Sequence, residues 1–167
     1  MDDSIVIRRI QKADELQLAK IIRGSLEEFG AARPGTVYFD PTTDHLFDVF
    51  KASRSAYFVA TKNNEVMGGA GIYPTANLPG DTCELVKLYL SPVARGIGLG
   101  RVLIKTCEEA ALAENFKRVY LETMPELKIA IPLYEKLGYK YLDHSLGESG
   151  HTGCGIWMIK QLENRLP

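Results

Sequence analysis

The chain has 167 residues, of which 46% are hydrophobic and 25% are charged, and its formal net charge is -1. These values are those of an ordinary soluble chain and predict a single domain over residues 1–167. The near-zero charge gives no broad basic surface, so we expect no nucleic-acid partner.

The apolar runs of the chain are all shorter than the ~18 residues of a membrane span, so we expect no membrane partner. The first residues, Met1-Asp2-Asp3-Ser4, are acidic, whereas a secretory signal begins with basic residues. We therefore expect a cytoplasmic protein.

Hydrophobic periodicity and turn residues divide the chain into eleven predicted elements. In chain order these are a strand over 4–10, a helix over 14–29, a short helix around 46–50, strands over 55–61, 66–73 and 82–90, a helix over 96–115, a strand over 118–123, a helix over 127–137, and strands over 140–144 and 154–162. The unit over 82–123 predicts a right-handed crossover between parallel strands inside a mostly antiparallel seven-stranded sheet. The final strand could pair across a dimer, so a homodimer stays open.

The most informative segment is Arg95-Gly96-Ile97-Gly98-Leu99-Gly100-Arg101, which connects a predicted strand to a helix. Glycines let the backbone approach a ligand closely, and the first N–H groups of a helix have no partner within it. Together with the positive end of the helix dipole, this pattern indicates a site for pyrophosphate. The alternative is a tight turn without a ligand.

Two common phosphate-binding motifs do not fit this segment. The pattern G-x-x-x-x-G-K-[ST] is absent, and the dinucleotide pattern G-x-G-x-x-G fails because Arg101 stands where its third glycine should be.

The segment resembles the motif Arg/Gln-x-x-Gly-x-Gly/Ala of the GNAT superfamily of acyl-CoA-dependent N-acetyltransferases, through Arg95, Gly98 and Gly100. A second motif of that family, Leu-Tyr-Glu-Lys-Leu-Gly-Tyr, stands at 133–139. The resemblance implies the GNAT fold, an α/β (α+β) fold with a mixed, mostly antiparallel seven-stranded sheet, a central parallel β-α-β unit that binds CoA, and helices on both faces. It is weakest over 24–54 and 143–153, where such proteins differ by substrate.

The resemblance also implies acetyl-CoA as co-substrate. His45, His144 and His151 show no metal-ligand pairing with the cysteines, so no metal is expected. The backbone of the glycine segment would hold the pyrophosphate, and Arg95, Arg101 or Lys105 would reach the other phosphate or stay solvated. The pantetheine arm would pair with the strand before the segment. The implied binding residues are Leu88, Tyr89, Leu90, Arg95, Gly96, Ile97, Gly98, Leu99, Gly100 and Arg101.

Two residues are candidates for the proton transfers that amide formation needs. The resemblance places Tyr134 near the CoA sulfur, where its phenol could stabilise the leaving thiolate; the alternative is a packed aromatic residue. Glu84, on the strand that lines the acetyl site, could accept the amine proton, and the alternative is an ordinary solvent-facing residue.

The remaining candidates are weaker. Cys83, Cys107 and Cys154 fit reduced core residues without metal spacing, and no local motif supports a cysteine nucleophile. The segment 143–153 fits a mobile loop near the acceptor, whose His151 is interpreted as a surface or turn residue. The acids Asp40, Glu84 and Glu148 would suit a cationic amine.

The predicted function is transfer of an acetyl group from acetyl-CoA to a primary amine by direct attack in a ternary complex. The acceptor is either a small-molecule amine or an amine of a peptide or protein, gripped by the aromatic pair Tyr38-Phe39. The alternative is a non-catalytic acyl-CoA-binding sensor or interaction module on the same fold.

Overall fold

The computed structural model describes residues 4–163, so Met1 and the acidic residues Asp2 and Asp3 lie outside the described part. Its strands are β1 Ile5–Arg9, β2 Ala56–Lys62, β3 Glu65–Tyr73, β4 Thr82–Leu90, β5 Arg118–Thr123, β6 Lys140–Leu142 and β7 Ile156–Gln161. Its α-helices are α1 Glu15–Glu28, α2 Leu46–Val49, α3 Leu99–Ala113 and α4 Ala130–Lys136. Between residues 4 and 163 no helix is long and apolar enough to cross a bilayer.

The seven strands form one sheet in the order β1-β2-β3-β4-β5-β7-β6. Only β4 and β5 pair in parallel, and α3 connects them, so the predicted β-α-β unit and mixed sheet are confirmed. Strand β7 lies between β5 and β6. The possibility that the final strand pairs across a dimer is therefore excluded, because both of its edges face strands of the same chain.

Helices cover both faces of the sheet, as expected. One face packs against α3 and α4 through a core that contains Leu103, Cys107, Val119, Leu137 and Met158. The other packs against α1 and α2 through a core that contains Leu18, Ile22, Leu26, Leu46 and Val59. Burial of these apolar surfaces is the main term that holds the helices on the sheet.

Several boundaries differ from the prediction for local reasons. Helix α3 begins at Leu99 because Gly96 and Gly98 have left-handed φ angles of 77° and 82°, which no α-helix contains. Helix α4 begins at Ala130, after a turn in which the Leu127 N–H bonds to the Met124 carbonyl. Helix α2 is a single turn that follows two short 3₁₀ turns.

The hairpin between β2 and β3 has a tight turn. Asn63 and Asn64 have φ angles of 51° and 65°, and the flanking Lys62 and Glu65 are paired. Two successive residues at positive φ match the twist of a hairpin, and asparagine tolerates that conformation.

Candidate active site

A gap opens between the parallel strands β4 and β5. The two strands pair at three positions, of which the last joins Glu84 to Tyr120. Beyond that point β5 continues to pair with β7, while β4 continues to pair with β3. The β4 backbone from Leu85 to Leu90 therefore has an unpaired edge, and this edge lines a pocket. Such an edge can receive an extended ligand as an added strand.

A bulge bends β4 along the same edge. The register between β3 and β4 shifts where Ala70 alone faces Lys87 and Leu88, and Lys87 has a left-handed φ of 51°. The hydroxyl of the fully buried Tyr57 donates a hydrogen bond of 2.8 Å to the Lys87 carbonyl. A carbonyl inside the protein needs such a partner, so Tyr57, which stands on β2, stabilises the bulge.

The glycine segment lies at one end of the pocket. A Cβ added at Gly96 or Gly98 would meet nothing within 4 Å, so their φ angles, and not crowding, require glycine there. Gly100 is different, because its Cβ would lie 3.2 Å from a methyl group of Leu133. At this position glycine permits close packing of α3 on α4, and the predicted approach of a ligand is not its only purpose.

The predicted binding residues divide into three groups. Leu88, Tyr89, Leu90, Arg95 and Gly100 line the pocket. Gly96, Ile97, Gly98 and Arg101 are exposed and surround the start of α3, whereas the side chain of Leu99 is buried in the core.

The side chain of Arg95 turns back onto α1. It forms an ion pair with Glu28 at 2.9 Å, donates to the Leu90 carbonyl at 3.2 Å and stacks on the ring of Phe29. Arg101 and Lys105 are exposed. Of the three basic side chains expected to reach a phosphate, Arg95 is thus already engaged.

Glu84 is buried, with 3% of its surface exposed, so its interpretation as a solvent-facing residue is wrong. Its Oε2 accepts a hydrogen bond of 2.6 Å from the Thr75 hydroxyl, while Oε1 has no hydrogen-bond partner within residues 4–163. Burial raises the pKa of Glu84 to about 7. The Thr75 hydrogen bond opposes this rise, the charge of Glu122 adds to it, and His151 and Lys87 oppose it further. A carboxyl group with this pKa can accept a proton at neutral pH.

Tyr134 lies on α4 and lines the same pocket with 7% of its surface exposed. Its ring contacts the ring of Tyr139 edge-on, with 5.8 Å between centroids. Burial raises the pKa of Tyr134 above its ordinary value of 10, so the hydroxyl stays protonated. No residue of the described range forms a hydrogen bond with that hydroxyl. Tyr139 itself is buried in the core.

The other end of the pocket carries a cluster of charged groups from distant segments. Asp40 Oδ2 lies 2.9 Å from His151 Nε2 and 3.5 Å from Lys87 Nζ. Its Oδ1 accepts hydrogen bonds from the backbone and hydroxyl of Thr42. These contacts hold the pKa of Asp40 well below its ordinary range, with the His151 hydrogen bond as the largest cause.

Glu122 of β5 also lines this end of the pocket. One of its carboxylate oxygens accepts a hydrogen bond from the Tyr120 hydroxyl at 2.8 Å, and the other accepts one from the Ser149 hydroxyl. Both oxygens therefore have partners. The Leu146 N–H in turn donates to the Tyr120 hydroxyl at 3.0 Å, so two contacts attach the loop between β6 and β7 to the sheet.

The comparisons with known proteins agree with this geometry. The model of the Acetyltransferase (GNAT) family matches residues 20–139. The chain belongs to this family. The uncharacterized N-acetyltransferase YjgM of Escherichia coli (strain K12) is 41% identical over 160 residues, which cover 95% of this chain and 96% of that protein.

Solved GNAT structures share the fold. An acetyltransferase of Staphylococcus aureus Mu50 superposes with a TM-score of 0.84 at 16% identity, over 95% of this chain and 99% of that one. The PaiA N-acetyltransferase of Thermoplasma acidophilum, solved in complex with coenzyme A, superposes with a TM-score of 0.74 at 18% identity, over 95% and 99% of the two chains.

The charged end of this GNAT pocket differs from its prediction. Of the acids expected to suit a cationic amine, Asp40 lies at this end, but Glu148 is exposed. Glu122, which lines the pocket, takes the place expected for Glu148. His151 has only 14% of its side chain exposed and is not a surface residue, but it does begin a turn, in which the Cys154 N–H bonds to its carbonyl. A charged residue inside the apolar strand over 118–123 was the one available indication of Glu122.

The cysteines of the GNAT domain are all free thiols. Cys83 and Cys107 are buried, as expected, whereas Cys154 is half-buried and lines the pocket. Burial raises the pKa of Cys83 and of Cys154 to about 12, which leaves both thiols protonated and poorly nucleophilic. Among residues 4–163 no group of three His, Cys, Asp or Glu side chains is arranged to hold a metal.

Proposed function

We propose that this chain is an N-acetyltransferase that transfers the acetyl group of acetyl-CoA to a primary amine by direct attack in a ternary complex. The observation that carries the proposal is the unpaired edge of β4 after Glu84. Its free backbone N–H and C=O groups can pair with the amides of a pantetheine arm, as an added strand would. The likeness to the PaiA enzyme, itself solved with coenzyme A, supports this co-substrate.

The glycine segment would hold the pyrophosphate. Gly96 and Gly98 turn the backbone just before α3, whose first N–H groups have no partner inside the helix. These groups and the helix dipole favour an anion, as at other helix N-termini. Arg101 and Lys105 are exposed on the first turns of α3 and available to a further phosphate.

Glu84 would accept the proton that the amine loses. The acceptor must attack as a neutral amine, although a free alkylamine has a pKa of about 10.4. Glu84 Oε1 has no hydrogen-bond partner among the described residues and belongs to a carboxyl group whose pKa is about 7. The backbone of Glu84 is held between β3 and β5, so the base has a fixed position.

Tyr134 would stabilise the leaving group. As the new C–N bond forms and the C–S bond breaks, the electron pair of the latter remains on the CoA sulfur. A thiol has a pKa of about 8.5, below the raised pKa of Tyr134. The phenol therefore donates a hydrogen bond to the thiolate without losing its proton to it, and solvent supplies the proton of the free thiol.

The first test is a thermal-shift titration with acetyl-CoA, with adenosine monophosphate and NAD as controls. A ligand at ~100 times its Kd adds about 2.7 kcal/mol to the free energy of unfolding, which raises Tm by roughly 5–11 °C in a domain of this size. The second test follows release of the CoA thiol with a panel of amines. A shift with acetyl-CoA alone and amine-dependent thiol release would support the proposal.

Two other outcomes would contradict it. Binding of acetyl-CoA without thiol release for any amine would favour the non-catalytic module. A folded protein that shows no shift at millimolar acetyl-CoA would mean that the glycine segment is only a turn.

A further inference from the structure

Two polar groups with unfilled hydrogen-bonding capacity lie at the charged end of the pocket. One is Glu84 Oε1, and the other is the ammonium group of Lys87. The other acids of this end are occupied, because Glu122 has a hydroxyl partner on each oxygen and Asp40 is bound by Thr42 and His151. A ligand therefore meets one open carboxylate oxygen and one open ammonium group.

Lys87 is an unusual lysine because only 6% of its side chain is exposed. Its ion-pair partner Asp40 lies 3.5 Å away, well beyond the 2.7–2.9 Å of a charge-assisted hydrogen bond, and the same Asp40 oxygen is 2.9 Å from His151. An ammonium group has three donors, and a buried charge is costly unless these are used. Burial accordingly lowers the pKa of Lys87. An anionic group on a ligand would remove this cost.

The bulge of β4 places Lys87 on the same side of the strand as Glu84. Regular alternation would put residues 84 and 87 on opposite faces, whereas the extra residue of the bulge shifts the pattern by one position. Both residues also line the same pocket, so one ligand can contact the two groups, and each group affects the pKa of the other.

We propose that the acceptor is a small aminocarboxylate with an apolar side chain, whose primary amine faces Glu84 and whose carboxylate binds the ammonium group of Lys87. This inference rests on the proposed function. The apolar side chain follows from Val37 and Met124, which line the same pocket beside Cys154. The requirement for a second, negative group in the acceptor follows from Lys87 alone.

The experiment compares three matched series of acceptors: apolar L-amino acids such as leucine, their amides such as leucinamide, and the decarboxylated amines such as 3-methylbutylamine. All three keep the amine and the apolar side chain, and only the first carries a carboxylate. Thiol release from acetyl-CoA is measured for the wild type and for Lys87→Met, and the ratio of their kcat/KM values for each acceptor cancels the basicity of that acceptor.

The wild type should prefer the amino acids. Lys87→Met should lower kcat/KM for them by about 10- to 100-fold, chiefly through KM, because a hydrogen-bonded charge is lost. For the amides and amines it should stay within about threefold of the wild type. The acetyl-CoA thermal shift of Lys87→Met should equal that of the wild type, which shows that the variant is folded. Lys20→Met, at an exposed lysine of α1 outside the pocket, serves as the control.

An equal loss of kcat/KM in all three series would show that Lys87 only supports the strand, and it would overturn the inference. Thiol release with amines or amides but with no amino acid would overturn it as well. Absence of thiol release in every series, with acetyl-CoA bound, would instead contradict the proposed function.

Discussion

Replacing Glu84 by glutamine should make the protein more stable and less active at the same time. The substitution keeps the shape of the side chain, and the Thr75 hydroxyl, which now donates to Oε2 at 2.6 Å, can donate to the amide oxygen. What is lost is the ability to ionise. Because the carboxyl group is buried and its pKa is raised to about 7, ionisation has consequences for folding as well as for catalysis.

The effect on stability follows from the two pKa values. In the unfolded chain the pKa of Glu84 is about 4.5, and in the folded protein it is about 7. The folded state therefore binds the proton more tightly, and the stability that this adds is present below pH 4.5 and lost as the pH rises through 7. At pH 8 the loss is about 3 kcal/mol. Glutamine suffers no such loss, so Glu84→Gln should raise Tm by roughly 6–12 °C at pH 8, and by little at pH 5.

The effect on activity has the opposite sign. Loss of a general base lowers the rate by about 10²–10⁴-fold when the base is ionised. With a pKa of about 7, Glu84 is ionised to roughly a tenth at pH 6 and nine tenths at pH 8. The wild-type to Glu84→Gln ratio of kcat/KM should therefore rise about tenfold between these two pH values, and the ionisation of the amine cancels in this ratio.

The assays are thermal unfolding at pH 5 and pH 8, and thiol release with one amine from pH 6 to pH 8. Glu109→Gln, which removes an exposed carboxylate of α3, should match the wild type in both. Equal Tm values for wild type and Glu84→Gln at pH 8 would refute the buried, ionising carboxylate. A kcat/KM ratio that is constant with pH would refute its role as the base.

Three further substitutions test separate parts of the site. Tyr134→Phe should lower kcat about 10-fold in a thiol-release assay, because the thiolate loses one hydrogen bond, while the acetyl-CoA thermal shift is unchanged. Tyr57→Phe leaves the Lys87 carbonyl without its 2.8 Å donor and should lower the free energy of unfolding by about 1–2 kcal/mol in denaturant titration. Gly98→Ala places a Cβ on a residue with a φ of 82°, and should cost about 1–2 kcal/mol and reduce the acetyl-CoA thermal shift.

Elements that depend on local sequence were predictable. Asn63 and Asn64 specify a tight turn by their tolerance of positive φ, and the glycines before Leu99 mark a strand-to-helix connection. The parallel pairing of β4 and β5 followed from the helix between them. Helix α4 begins three residues after its predicted start. The apolar residues in the turn before the helix continue its spacing of apolar positions, so the sequence pattern does not show where the helix begins.

The charged end of the pocket could not be predicted in the same way. The sequence indicates Asp40 as one of the acids near the acceptor, but its partner His151 lies 111 residues further along the chain. The position of Lys87 depends on the bulge in β4. The bulge is set by pairing with β3 and by the hydrogen bond from Tyr57, and neither contact can be predicted from the sequence around Lys87. Tyr134, in contrast, is a candidate through a motif that occupies a single stretch of sequence, and Glu84 is one through its place on the strand expected to line the acetyl site.

The end of the β4–β5 pairing explains why residue 84 carries a buried carboxyl group, although its ionisation lowers the free energy of unfolding. The Glu84 backbone is paired on one side with Tyr73 and on the other with Tyr120, and the latter is the last pair before the gap. One residue earlier, the side chain of Cys83 faces the core on the other side of the sheet, and residues further along stand on a strand paired on one side only. Residue 84 combines a backbone fixed on both sides with a side chain at the edge of the open pocket. A base placed there keeps its position without reorganisation, and a stability loss of about 3 kcal/mol at pH 8 is the consequence.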